Sequence, residues 1–252
     1  FGPRGTRAGA AASGCGKSDF NLNSRRHMLD GDLNYGLLER QMSTTLLAMS
    51  SALPGREKDY AEWYLKRHLK DMLRVPGVVS GTFYGRAGPQ SQTRWAHCAF
   101  YELDRPINEV FAEIGRRVGG PEMPLTDATD RQRVAFMEPA FLRPRLKFAE
   151  ASGPTLLNLL MAKPYEGRED AFEAWADVLL RSVPGCFAAQ QRRLSPQVGA
   201  SPSPWRDLLM HELPVVGASE AIEAGLAAAR TQEELSGVDH GSLYSELFRQ
   251  LS

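Results

Sequence analysis

The sequence predicts an α+β protein built from two successive strand–helix–strand–strand–helix–strand units. Three observations carry this reading. An amphipathic helix at residues 56–77 ends in Pro76-Gly77 and is followed by strand-like runs. Its start recurs in the second half, where Gly167, Arg168, Glu169 and Trp175 align without a gap with Gly55, Arg56, Glu57 and Trp63. A Pro-Gly pair and a Trp-led strand then recur in the same order, as Pro184-Gly185 and Trp205–Leu213. Several anchors in one order indicate an internal duplication.

Residues 1–41 are rich in Gly, Ala, Arg and Ser and lack apolar periodicity, so a disordered or non-native extension is expected there, with Met42 or Met28 as the native start. Ser13-Gly14-Cys15-Gly16-Lys17-Ser18 resembles the end of a phosphate-binding loop. Ala11 stands where that motif needs glycine, and neither a buried strand before it nor a helix after it is present.

The first repeat is expected over residues 42–150. A strand begins at Thr44 and is broken by Pro54-Gly55. On the helix, Ala61, Tyr64, Leu65, His68, Leu69 and Met72 share one face at i, i+3, i+4 spacing. Val78–Arg86 and Trp95–Leu103 are the next two strands, divided by a polar loop. Pro106–Gly120 reads as a second helix. A long polar segment with Asp127, Asp130 and Arg133 then precedes a last strand from Val134. The second repeat, residues 151–252, follows the same order with a shorter helix. Trp63 to Pro76 is four residues longer than Trp175 to Pro184, and the missing residues fall at His68–Asp71. This order is the ferredoxin-like βαββαβ pattern.

Composition bounds the function. The chain has 252 residues, with 42% hydrophobic and 24% charged, as in an ordinary globular protein. Thirty basic and thirty acidic residues cancel, which argues against nucleic acid and anionic membrane as partners. No apolar run approaches the length of a membrane span. Cys15, Cys98 and Cys186 have no metal-like or disulfide-like spacing, so a cytoplasmic setting is expected. No G-x-S-x-G, H-E-x-x-H, C-x-x-C or EF-hand pattern occurs, and no metal site is expected.

The run Glu62-Trp63-Tyr64, His68-Leu69, Asp71 and Pro76-Gly77, with a Trp-led strand ending in Tyr101-Glu102-Leu103, resembles the EthD-like group of the dimeric α/β-barrel superfamily. The resemblance covers residues 44–146 well and 155–250 weakly, and Lys70 stands where the group usually has proline. It implies two ferredoxin-like units packed sheet to sheet, here both from one chain, with a ligand pocket within the barrel or between its sheets. It implies no cofactor. The superfamily hosts cofactor-free monooxygenases, isomerases, lyases, cyclases and dehydratases, and more distant haem enzymes whose axial histidine lies on a second-unit helix. The fold therefore does not select a reaction.

Strand alternation supplies candidate pocket residues. Counting from the tryptophans, Trp95, His97 and Tyr101 are expected to face the barrel interior, as are Trp205, Asp207 and His211, with Tyr84 joining them. Ala96, Cys98, Phe100, Leu208 and Met210 are then expected beneath the helices. The catalytic candidates are His68, His97, His211 and Tyr101, because histidine exchanges protons near neutral pH and tyrosine polarises an oxygen. The substrate-binding candidates are Tyr64, Tyr84, Trp95, Asp207, Trp205 and Asp71. The expected function is a cofactor-independent lyase, dehydratase or isomerase acting on a small aromatic or polycyclic, apolar substrate. A cofactor-free monooxygenase and a non-catalytic small-molecule-binding or stress protein are the alternatives. A homodimer formed through edge strands is compatible with either.

Overall fold

The computed structural model describes residues 44–88, 94–198, 201–230, 237–239 and 242–251. The expected extension at 1–41, with its phosphate-loop-like run, lies outside them.

β1 (Thr44–Ala52) leads to helix α1, which runs as α-turns over Glu57–Trp63, a π segment over Tyr64–His68 and a last α-turn over Leu69–Met72. β2 (Val78–Arg86), β3 (His97–Leu103), α2 (Ile107–Arg117) and β4 (Thr129–Met137) complete the first half. The short β5 (Pro139–Phe141) and β6 (Leu146–Lys147) link to the second half. That half contains β7 (Thr155–Ala162), α3 (Glu169–Ser182), β8 (Ala188–Leu194), the small pair β9 (Gln197–Val198) and β10 (Ser201–Pro202), β11 (Asp207–Pro214), α4 (Ala218–Arg230) and β12 (Tyr244–Gln250).

The local chemistry of α1 and α3 explains why both helices start where they do. Gly55 (φ 79°) and Gly167 (φ 74°) take the left-handed turn that L-residues avoid. Each then donates its backbone N–H to the glutamate two residues on, Gly55 to Glu57 at 3.2 Å and Gly167 to Glu169 at 3.3 Å. The matched anchors of the sequence thus occupy matched positions. Of the four residues that separate Trp63–Pro76 from Trp175–Pro184, two lengthen the helix and two lengthen the turn after it.

Among the described residues, ten strands form one antiparallel sheet in the order β4-β1-β3-β2-β12-β7-β11-β8-β5, with β6 also on β8. The first half has the ferredoxin-like order, fourth-first-third-second, and the second half repeats it as β12-β7-β11-β8. The halves are not two separate sheets. They join edge to edge where β12 pairs with β2, through Phe248–Arg86, Arg249–Gly85 and Gln250–Tyr84. The opposite ends of the order, β4 and β5, are separated in the chain by Glu138 alone. The sheet therefore curls on itself, and its outer face is covered by helices.

Three apolar clusters follow from this curl. One lies under α1 and α2 and contains Leu46, Tyr60, Tyr64, Ala99 and Tyr101. A second lies under α3 and α4, around Phe172, Trp175, Leu209 and Leu213. The third fills the barrel interior with side chains of both halves, among them Met49, Cys98, Met161, Leu208 and Phe248. A strand covered on both faces buries successive residues, and β3 and β7 do so almost throughout.

Candidate active site beneath the first-half helices

A cavity of about 330 Å³ lies between helices α1 and α2 and the outer face of β1, β3 and β4. Its wall is mostly apolar and aromatic, including Leu46, Trp63, Met72, Phe111, Met123 and Phe136. Tyr60, Tyr64, His68, Tyr101, Ser50, Thr126, Thr129 and Arg131 supply its polar groups. A concave apolar site with a few placed polar groups is the usual form of a small-molecule pocket.

The π segment brings two of these groups to the wall. Leu69 donates its N–H to the carbonyl of Tyr64, five residues back rather than four. Such one-turn insertions re-aim side chains and are common at functional sites. Here Tyr64 and His68, the first and last residues of the segment, both line the cavity, whereas α3 runs as an unbroken α-helix.

The hydroxyls of Tyr64 and Tyr101 share a hydrogen bond of 2.6 Å. A pair of hydroxyls uses one of its two protons internally, so the other remains available to a ligand oxygen. Burial drives both phenols well above the usual tyrosine range, and both are held protonated at neutral pH. Tyr60, one turn before Tyr64, donates to Ser50 Oγ at 2.8 Å. Its pKa is pushed up to about 12, again by burial.

His68 stacks on Trp63 (4.6 Å, 23°) and meets Tyr64 edge-on (4.8 Å). Burial lowers its pKa to about 4, opposed by the charge of Asp71. It is thus a neutral imidazole at pH 7, able to accept a proton. Its Nδ1 is sealed from solvent without a hydrogen-bond partner. Asp71 itself does not line the cavity. It is buried and bonded to Arg67 (2.6 Å) and Arg74 (3.3 Å), so it ties the helix together instead of touching a ligand.

The structure corrects the expected facing of the strand residues. Tyr101 and Ala99 belong to the cluster under α1, and His97 packs against Tyr60 (5.0 Å) and Phe83 (5.3 Å) of that layer. Cys98 and Phe100, expected under the helices, lie in the barrel interior. The second half shows the same inversion. Leu208 and Met210 face the interior, while Asp207 and His211 lie beneath α3. Asp207 is fully buried among Gln191 (3.2 Å), Arg193 (3.1 Å) and Arg206 (2.5 Å), and both arginines also bond Glu173 of α3. His211 is fully buried, with a pKa lowered to about 4 by burial and partly restored by the backbone of Leu179. His97 is likewise lowered to about 4, by burial first and then by Arg86.

The tryptophans do face the interior as expected. Trp95 meets Trp205 (5.7 Å) and Tyr244 (5.5 Å), and Tyr84 meets Phe100 (6.1 Å). Of the ten candidates, the structure brings His68, Tyr64 and Tyr101 to one cavity. It leaves Tyr84, Trp95 and Trp205 in the barrel and His97, Asp71, Asp207 and His211 in packed surroundings. Sequence reasoning missed Tyr60, Ser50, Thr129 and Arg131. The i, i+4 relation of Tyr60 to Tyr64 was a readable signal for the first. The others depend on how β1 and β4 pair.

Among the described residues of the second half, neither α3 nor α4 contains a histidine. Among the described residues no group of three or more His, Cys, Asp or Glu side chains is placed to hold a metal ion, and no helix is long and apolar enough to cross a membrane.

No family model and no curated protein matches the chain. Solved structures do. An anthrone oxidase-like protein superposes with a TM-score of 0.56 at 14% identity, over 84% of this chain and 92% of its own. A mutant chlorite dismutase from Candidatus Nitrospira defluvii in complex with cyanide gives 0.53 at 10% identity, over 86% and 93%. A candidate monooxygenase from Fusobacterium nucleatum subsp. nucleatum gives 0.51 at 7% identity, over 84% and 93%. These neighbours belong to the dimeric α/β-barrel superfamily, and at such identities the likeness is one of fold: this chain is a mixed α+β protein whose curled antiparallel sheet matches theirs.

Proposed function

We propose that the chain is a cofactor-independent enzyme that removes a proton from a small aromatic substrate held in the cavity beneath α1 and α2. The observation that supports this most is that His68 and the Tyr64–Tyr101 pair line one apolar cavity. His68 is the base. With Nδ1 sealed, Nε2 is the nitrogen that receives the proton. The hydroxyl pair donates its spare hydrogen bond to the substrate oxygen on which charge develops, an interaction strengthened by the apolar surroundings. The carbanion or enolate then isomerises or expels a leaving group.

A second reading is favoured by the names of two neighbours, the anthrone oxidase-like protein and the candidate monooxygenase. In it the same carbanion reacts with dioxygen. We further infer that the two halves arose by duplication, since their helix starts and strand orders match, and that the run from Glu62 to Gly77 places the chain with the EthD-like group. The buried free thiols of Cys98 and Cys186 suit a reducing, cytoplasmic setting.

Anthrone, a tricyclic ketone with an acidic methylene, tests the proposal. Its methylene hydrogens should exchange in D₂O faster with the protein than without it, as read by proton NMR under nitrogen. His68→Gln should slow the protein-dependent exchange by about 10²-fold or more. Oxygen consumption on admitting air would select the monooxygenase reading. Binding without exchange, or exchange indifferent to His68→Gln, would remove the acid–base reading and leave a binding protein.

A further inference from the structure

Among the described residues, the cavity wall contains one cation, Arg131. We infer that Arg131 is a specificity-determining residue that binds the carboxylate of the substrate, so that the natural ligand is an aromatic acid with its ring inside and its anionic group at the rim. This inference rests on the proposed use of the cavity, and it names the substrate class.

Three features of the structure point to it. First, the pairing of β4 with β1 slips between Ser50–Val134 and Ala52–Thr129. In a regular strand Thr129 and Arg131 would face opposite to Val134 and Phe136. The bulge puts all four on the cavity side. Second, the neighbouring acids are already engaged. Asp127 pairs with Arg56 at 3.1 Å, and Asp130 pairs with Arg133 at 3.5 Å. Among the described residues, no hydrogen bond or ion pair joins Arg131 to any side chain. Third, the rim beside it offers the hydroxyls of Thr126 and Thr129, while the inner wall is aromatic and apolar. Thr126 Oγ1 accepts the N–H of Ala128, which leaves its own proton to donate. A guanidinium fork with adjacent hydroxyl donors suits a carboxylate, which is planar and accepts on both oxygens.

The geometry also separates the roles. Arg131 lies on the strand wall and His68 on the helix wall, so an anchored acid presents its ring and not its carboxylate to the base. The positive rim raises the local concentration of anionic ligands and screens with salt.

The test uses the full chain and two probes of matched shape, 2-naphthoate and 2-naphthamide, with binding read by tryptophan fluorescence and by calorimetry. The acid should bind about tenfold more tightly than the amide, and the difference should shrink as salt rises. Arg131→Gln should abolish the preference by weakening the acid about tenfold and leaving the amide unchanged. Arg131→Lys should restore part of it. Equal affinities for the two probes, a loss shared by both in Arg131→Gln, or no binding of the acid up to millimolar concentration would overturn the inference. Methylene exchange on uncharged anthrone is read separately in the unaltered protein, and its failure there while that protein still prefers the acid to the amide would sink the base assignment and not this one.

Discussion

Tyr101 and Gly81 face each other across the β2–β3 ladder, and the aromatic ring of one occupies the space that a side chain on the other would need. A Cβ on Gly81 would lie 2.9 Å from two Tyr101 ring atoms and 3.0 Å from Leu69. The glycine is not there for backbone freedom. It makes room for the tyrosine that meets Tyr64 on the cavity wall. Gly81→Ala should therefore shift Tyr101, destabilise the fold by about 1–3 kcal/mol and weaken aromatic ligands. Urea denaturation and ligand titration of the variant check this, and an unchanged ligand affinity would mean that the ring position is not critical.

The Tyr64–Tyr101 hydroxyl pair makes a double-mutant prediction. Tyr64→Phe or Tyr101→Phe alone leaves a buried hydroxyl without its partner, at a cost of about 1–3 kcal/mol. The double substitution to phenylalanine should cost less than the sum, because no orphaned group remains. Proton exchange on a bound substrate should nevertheless be slower in all three variants. Equilibrium unfolding gives the coupling, and additivity would show that the hydroxyls do not support each other.

The buried histidines set a pH dependence. His68, His97 and His211 each titrate near 4 in the folded chain, against about 6.5 when unfolded. Between those values the unfolded state binds more protons, so stability rises with pH. The contribution is complete above about 6.5 and is lost as pH falls toward 4. Thermal melts from pH 7.5 to 4.5 should show a falling midpoint, and His97→Phe, which keeps an aromatic ring stacked on Phe83 and tilted against Tyr60, should flatten the fall. Proton abstraction by His68 should be flat down to about pH 5.

Asp207 makes a contrasting case. It holds Arg193 and Arg206 under α3 and does not line the cavity beneath α1 and α2. Asp207→Ala should destabilise the chain by on the order of 2–3 kcal/mol, less than a fully buried pair because both arginines are partly in water. Ligand affinity of the folded variant should not change. A selective loss of binding at constant stability would return Asp207 to the site.

How much of the site was legible is clearest in β3 and β11. Alternation along a strand is fixed by the pleat, and the sequence shows it. The phase is not fixed by the pleat. Counting from Trp95 and Trp205 placed His97, Tyr101, Asp207 and His211 inside the barrel. In the structure the chain bends at Ala96 and Arg206, and the ladders begin only at His97 and Asp207. One residue of slip moves every side chain to the other face. Both faces of these strands are apolar, because helices cover one and the closed barrel covers the other. Hydrophobicity could not reveal the error.

The helix told more. The face of α1 with Tyr64 and His68, its start at Gly55-Arg56-Glu57 and its counterpart at Gly167-Arg168-Glu169 depend on local spacing and on glycine backbone geometry, and these are written in the residues themselves. The same holds for the two βαββαβ orders. The edge-to-edge joining of the halves through β2 and β12 and the bulge that carries Arg131 to the rim were decided by tertiary packing. Each depends on which residues far apart in the chain become neighbours, and short-range patterns do not encode that choice.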